Sequence, residues 1–195
     1  WTDANVRSPL IQWLDETSPH SSSKDMAKHF EQFLNWGIRR YPALHYMVVF
    51  WGHGQGWTAT PNPSQKVFGG IGVRGDSYLD IPSLRKVLAQ VSKKTLEGQK
   101  IDVYASDACL MQMTEVSYEI SDSINYIVGS ANIEDYLGLP YRNIISEINQ
   151  ATFGAKDKRD EQLLDRLCGA NTKDQNYEAC RVAYMIPDLF EEAYY

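Results

Sequence analysis

The sequence predicts an α/β fold in which a mostly parallel sheet is covered by helices. Three observations point to it. Short apolar runs close on glycine or small residues near 46–54, 101–109 and 126–131, segments of helical spacing lie between them, and the order helix, strand repeats three times. A short continuous apolar run bounded by small residues reads as a buried parallel strand. A repeating strand and helix order implies right-handed crossovers packed on the sheet.

The elements follow in chain order. Residues 24–40 place Met26, Phe30, Phe33, Leu34 and Gly37 at helical spacing, and Tyr41-Pro42 stops the helix. A strand is expected over 46–51. Residues 55–79 hold Pro61, Pro63, Gly69, Gly70, Gly72 and Gly75, so a long irregular loop or a short hairpin follows. Loops of that length are usually functional or mobile. Asp80 is placed as an N-cap with Pro82 in the first turn, and Ile81, Leu84, Val87, Leu88 and Val91 form an apolar stripe to about Lys94. A strand at 101–106 leads into a helix from about Cys109 to Ser121, with Leu110, Met113, Val116 and Ile120 facing inward. A further strand covers 126–131. Beyond Pro140 the chain reads helical, with Leu163, Leu164 and Leu167 on one face, and Val182 to Ile186 reads as a late strand.

The 195 residues, 43% hydrophobic, suit one domain over 1–195, with 151–195 as a helical C-terminal extension. Such a chain buries roughly 70% of its unfolded surface. A net charge of −6 and the lack of a basic run argue against a nucleic-acid partner. The longest apolar stretch, Tyr46 to Trp51, falls far short of the about 20 residues a membrane span needs, so no membrane partner is expected. The sequence has no initiator Met and no signal-peptide pattern, which fits a mature or trimmed chain. Of three cysteines, Cys168 and Cys180 lie in a polar stretch. Either they pair, leaving Cys109 free and suggesting export, or they are two unpaired thiols.

His53 and Cys109 carry the chemistry. Each closes an apolar strand, and ligands in open α/β sheets gather beyond the carboxyl ends of the strands, where a thiol and an imidazole can meet. A cysteine attacks as thiolate, which the unpaired N–H groups of a helix's first turn favour, and Cys109 opens the expected helix. The imidazole would protonate the leaving amine, while the N–H groups of Gly54 and Cys109 bind the developing oxyanion. Glycine at 54 lets the main chain approach a substrate carbonyl.

At this point the sequence resembles the clostripain family of cysteine endopeptidases. Phe33-Leu34-Asn35-Trp36 through Tyr41-Pro42-Ala43, then Val48 through Trp57, is similar to the family's histidine block; Asp107-Ala108-Cys109-Leu110-Met111 is similar to its nucleophile block. Gly129-Ser130-Ala131 through Gly138-Leu139-Pro140-Tyr141 also fits, so the resemblance covers roughly 24–150. The resemblance implies a caspase-like three-layer α-β-α sandwich, a bacterial source, and secretion or a periplasmic location. It implies cleavage of protein or peptide substrates after Arg or Lys by the dyad His53 and Cys109. The family needs no cofactor for the chemistry, and calcium dependence occurs in some members; Glu134-Asp135 would offer oxygen ligands, but no EF-hand spacing is present.

An S1 pocket for a basic side chain should be acidic. Asp107 is the first candidate, because a carboxylate there would pair with a guanidinium; its alternative role is to cap the helix near Cys109. Either Glu134 or Asp135 supplies a second acid, with Ser130 and Asn132 lining the pocket. Self-cleavage between the two blocks would use Lys66 or Arg74, of which Lys66 lies in the Gly/Pro/Ser-rich stretch. The family's fold begins with an apolar strand, whereas Trp1-Thr2-Asp3-Ala4-Asn5-Val6 turns polar at once, so association with another fragment of the same precursor is a further expectation.

Other classes fit less well. A serine esterase lacks its Gly-x-Ser-x-Gly elbow. A zinc protease lacks His-Glu-x-x-His and Cys-x-x-Cys, and the glycines at 52, 54 and 56 miss the dinucleotide spacing. A catalytically inactive caspase-like binding or regulatory module is the rival of a different class, since fold does not imply activity; retention of both His53 and Cys109 argues against it.

Overall fold

The computed structural model describes residues 23–57, 70–74, 77–134, 137–149, 166–169 and 175–194. Helix α1 (Ser23–Arg40) precedes strand β1 (Met47–Trp51), and a small antiparallel sheet follows from β2 (His53–Gly54), β3 (Ile71–Arg74) and β4 (Ser77–Leu79). Helix α2 (Ile81–Lys94), β5 (Ile101–Asp107), α3 (Thr114–Ile120), a 3-10 turn, β6 (Ile124–Val128), α4 (Tyr141–Asn149) and α5 (Gln175–Tyr194) complete the described elements.

The main sheet is parallel in the order β1-β5-β6, so the central strand is the one that leads to Cys109. Its two faces are read off the period-2 alternation of side chains. Val48, Phe50 and Tyr104 pack with α1, α2 and α3, where Leu34, Leu84, Leu88, Val91, Val116 and Ile120 are buried. Val103, Ala105 and Val128 pack on the opposite face against Ile144 of α4 and Ala179, Val182, Ala183 and Ile186 of α5. Two helical layers therefore enclose the sheet. Burial of each such aliphatic side chain is worth roughly 1.5–3 kcal/mol, so both layers contribute substantially to holding β5 in place.

The start of α2 obeys its sequence. Asp80 caps it by accepting from Ser83 N at 2.7 Å, Pro82 sits in the first turn, and all five expected apolar positions are buried. The hydroxyl of Ser23 also donates to Asp80 at 2.6 Å, so one carboxyl ties together the starts of α1 and α2.

Several expectations need correction. No helix begins at Cys109: residues 108–112 form a turn and α3 starts at Thr114, because Leu110 takes a left-handed φ of 62° that a helix cannot continue through. Asp107 therefore caps no helix; it ends β5, and Met113 holds the N-cap position. Strand β6 runs 124–128, not 126–131, since its ladder with β5 ends at the pair Ala105 and Val128. The apolar run Val182 to Ile186 lies inside α5; Ala179, Val182, Ala183, Ile186 and Leu189 recur at helical spacing and are all buried. Phe33 is 61% exposed because α1 turns Leu34 and Ile38 inward instead. Leu167 is likewise exposed, while Leu163 and Leu164 lie outside the described residues, as does the opening segment 1–6. Cys168 and Cys180 form a disulfide, which leaves Cys109 as the free thiol.

Candidate active site

Strand register brings the two reactive residues to one place. Trp51 of β1 is paired with Asp107 of β5, and Gly52 N donates to Asp107 O at 3.2 Å, so the parallel ladder runs to the last residue of both strands. His53 and Cys109 each follow that closing pair by two residues. Their segments are in direct contact: a Cβ at Gly54 would stand 1.8 Å from Cys109 O and 2.8 Å from Met111 Cγ. Gly56, at φ +56°, has Leu110 O and Met113 Sδ in the same relation, at 2.8 and 2.3 Å. Only glycine lets the chain after β1 lie this closely on the turn after β5. Gln55 N donates to Gly70 O at 2.9 Å, and strand alternation therefore turns the Gly54 N–H away from β3. His53 is exposed and Cys109 half-buried, which leaves the imidazole open to an incoming chain.

The turn that carries the thiol is pinned from the far side. Leu110 N donates to Asn132 O at 3.0 Å and Gln112 N to Ser130 O at 2.9 Å; the Gln112 side chain reaches Ile127 O at 3.1 Å. These bonds hold Leu110 in its unfavourable conformation, whose strain costs about 1–3 kcal/mol for a non-glycine residue. Glu134 N donates to Cys109 Sγ at 3.3 Å. Ser130 and Asn132 brace this arrangement: Asn132 N donates to Ser130 Oγ at 3.1 Å, Ser130 Oγ donates to Asn132 O at 2.9 Å, and Asn132 Oδ1 accepts from Ile133 N at 2.8 Å. Their polar groups thus act on one another and on the turn.

Two acids adjoin the thiol. Asp107 is 3% exposed, and its Oδ2 accepts from Leu139 N at 3.1 Å and from the hydroxyl of Tyr141. Gly138, at φ +66°, lies against the carboxyl, so a Cβ there would be 2.8 Å from Oδ2. Asp107 therefore forms a buried floor that anchors residues 138–141, with one oxygen already committed to protein donors. Glu134 is the more open acid. Burial first, and then the neighbouring Asp107, push its carboxyl up to about 7, while the backbone N–H of Ala108 offsets part of the shift. Its Oε2 is buried without a hydrogen-bond partner among the described residues. Burial, Asp107 and Glu134 together push the Tyr141 phenol well above its ordinary range, so it stays a donor.

Of the residues expected from sequence, Gly54, next to His53, lies on the Cys109 main chain, Glu134 N reaches the Cys109 sulfur, Asp107 faces the Glu134 carboxyl, and Ser130 and Asn132 hold the turn that carries Cys109. Arg74 sits in β3 opposite Ser77; Lys66 and Asp135 lie outside the described residues. Gln112, Leu139 and Tyr141 carry interactions that residue type alone did not announce, although Tyr141 belongs to the Gly138-Leu139-Pro140-Tyr141 run already singled out. Among the described residues no cluster of three or more His, Cys, Asp or Glu is placed to hold a metal ion.

A model described as the Clostripain family matches residues 11–181. Among solved structures, the chain is similar to a secreted C11 cysteine protease from Bacteroides thetaiotaomicron in complex with an irreversible peptide inhibitor, with 24% identity over 86% of this chain and 37% of that chain, and a TM-score of 0.56. It is also similar to an inactive zymogen C11 protease from Parabacteroides distasonis, with 19% identity over 95% of this chain and 39% of that chain, at the same TM-score of 0.56. These likenesses carry the fold, and the chain spans less than two-fifths of the length of each. No curated protein matches.

Proposed function

The chain belongs to the clostripain family, and from that premise we propose that it carries the catalytic unit of a cysteine endopeptidase that cleaves after Arg or Lys. Cys109 is the nucleophile and His53 its acid–base partner. The observation that carries the reading is the seating of Gly54 on the Cys109 carbonyl at the ends of two paired parallel strands.

The chemistry follows from that placement. Cys109 gives its thiol proton to His53, its Sγ attacks the carbonyl carbon of the scissile bond, and the N–H groups of Gly54 and Cys109 receive the oxyanion. His53 then donates a proton to the departing amine, leaving a thioester on Cys109. Water attacks the thioester as His53 takes its proton, the C–S bond breaks to release the acid product, and His53 returns the proton to the Cys109 sulfur. The basic P1 side chain meets Glu134, whose unpartnered Oε2 is the available acceptor, above the buried floor of Asp107. Asp135 and the maturation sites Lys66 and Arg74 remain part of the same reading, as does association with another fragment of the precursor.

The Cys168–Cys180 disulfide supports an oxidising, extracytoplasmic location. No helix among the described residues is long and apolar enough to cross a membrane. A catalytically inactive binding module of the same fold is the alternative, and no feature of the site favours it over catalysis.

The test is hydrolysis of paired fluorogenic peptides with Arg, Lys, Asp or Asn at P1, in reducing buffer, with and without calcium, and with Cys109→Ala as control. Turnover after Arg or Lys that disappears in the variant is expected. Turnover after Asp or Asn keeps the enzyme and moves its specificity, and no turnover with any peptide favours the binding module.

A further inference from the structure

Glu134 touches the nucleophile twice over. Its main-chain N–H donates to Cys109 Sγ at 3.3 Å, while its side chain accepts from the N–H of Ala108, the residue just before the nucleophile, and faces Asp107. Helix α3 begins five residues after Cys109 and has only 7 residues, so its N-terminus cannot supply the donors that the sequence led one to expect beside the sulfur. The Glu134 N–H takes that place. Its segment is rigidly joined to the nucleophile turn through the bonds Leu110 N to Asn132 O and Gln112 N to Ser130 O. The second side-chain oxygen, Oε2, is buried with no partner among the described residues, which is costly unless a ligand group completes it.

We propose that Glu134 couples substrate recognition to nucleophile placement, its main-chain N–H positioning the sulfur of Cys109 while its carboxyl takes the basic P1 group. This rests on the specificity proposed above. An arriving guanidinium or ammonium satisfies Oε2 and favours the ionised carboxylate, which fixes the segment whose N–H holds the sulfur. A thiolate accepting that charge-assisted bond is then presented when a basic side chain fills the site. Glu134 is in this respect a positioning residue: it acts through Cys109, in addition to binding substrate.

Iodoacetamide alkylation of Cys109 tests this, because the reagent has no P1 side chain. Agmatine, which carries the guanidinium of an arginine side chain, is the probe. The rate is measured with and without agmatine in the intact wild-type chain, in Glu134→Gln, which keeps the N–H and loses the carboxylate, and in Glu134→Pro, which loses both. Agmatine is expected to accelerate wild-type alkylation severalfold and to have no effect on the Gln variant. The Pro variant should alkylate about tenfold more slowly than the Gln variant, the worth of one hydrogen bond to a charged acceptor. Equal rates in the Gln and Pro variants would overturn the positioning role. Agmatine that inhibits cleavage after Arg but leaves wild-type alkylation unchanged would overturn the coupling while the specificity stands. Agmatine without effect on either reaction, with Pro slower than Gln, would overturn the basic specificity and hence the coupling, leaving the positioning role alone. Should Glu134→Pro fail to fold, the wild-type and Gln responses to agmatine still decide the coupling.

Discussion

Gly54 lies against the main chain of Cys109 so closely that a side chain could not be accommodated: an added Cβ would stand 1.8 Å from the Cys109 carbonyl oxygen. The residue after His53 is thereby held on the main chain of Cys109. The contact depends on β1 and β5 being paired through Trp51 and Asp107, and that pairing depends on two helical layers burying both faces of the sheet.

The first prediction concerns this contact. Gly54→Ala must push the two segments apart, and displacement of reacting groups by about 1 Å costs on the order of a hundredfold in rate. A fall of kcat/KM of about that size is expected. Gly37→Ala is the control: nothing lies within 4 Å of its Cβ position in α1, so it should leave turnover unchanged and raise stability by roughly 0.5–1 kcal/mol. Kinetics and thermal melts of the two variants check both statements.

Tyr141→Phe removes one of the two donors that reach the buried Asp107 carboxyl among the described residues, leaving Leu139 N. Loss of a buried partner costs about 1–3 kcal/mol, so a lower denaturation midpoint is expected. If Asp107 forms the floor beneath the P1 group, as proposed, Asp107→Asn should depress cleavage after Arg far more than it depresses thiol alkylation. Equal losses in both assays would count against that role.

Glu134 links pH to stability and, on the proposed specificity, to substrate binding. Its folded value of about 7 lies above the ordinary 4.5, so the native state binds this proton more tightly than the unfolded chain does. The contribution is fully present below about 4.5 and is lost as pH rises through about 7. Denaturation across this window should show the decline in wild type and a flatter curve in Glu134→Gln. A basic substrate favours the ionised carboxyl, so KM for an Arg peptide should fall as pH rises through about 7, and that fall should vanish in the Gln variant.

Self-cleavage at Lys66 would give two bands on a denaturing gel after activation. Lys66→Ala and Cys109→Ala should each leave one band. Cleavage that persists at the same bond in Cys109→Ala would mean that another protease cuts there.

Much of the fold was legible in the sequence, and most of what was not depends on contacts between residues far apart in the chain. The main parallel strands, α2 with its Asp80 cap, and the approach of the segments after β1 and β5 depend on local patterns: apolar runs, a capping residue, small residues at strand ends. The turn after Cys109 depends instead on Ser130 and Asn132, about twenty residues on, whose carbonyls hold Leu110 and Gln112 out of a helix. Local spacing favoured a helix there and tertiary hydrogen bonds overrode it. The partnership of Asp107 with Tyr141 is equally non-local. In α5 the window Val182 to Ile186 was too short to separate strand from helix; the period appears only when Ala179 and Leu189 are included.

The most direct test of the central claim is intact-mass analysis after treatment with peptide acyloxymethyl ketones that differ only in P1, with peptide mapping of the adduct. A basic-specific Cys–His peptidase predicts stoichiometric labelling of Cys109 by the Arg and Lys reagents, little by the Asp reagent, and a large loss of labelling in His53→Ala. Equal labelling by all three reagents, an adduct on another residue, or undiminished labelling without His53 would contradict it.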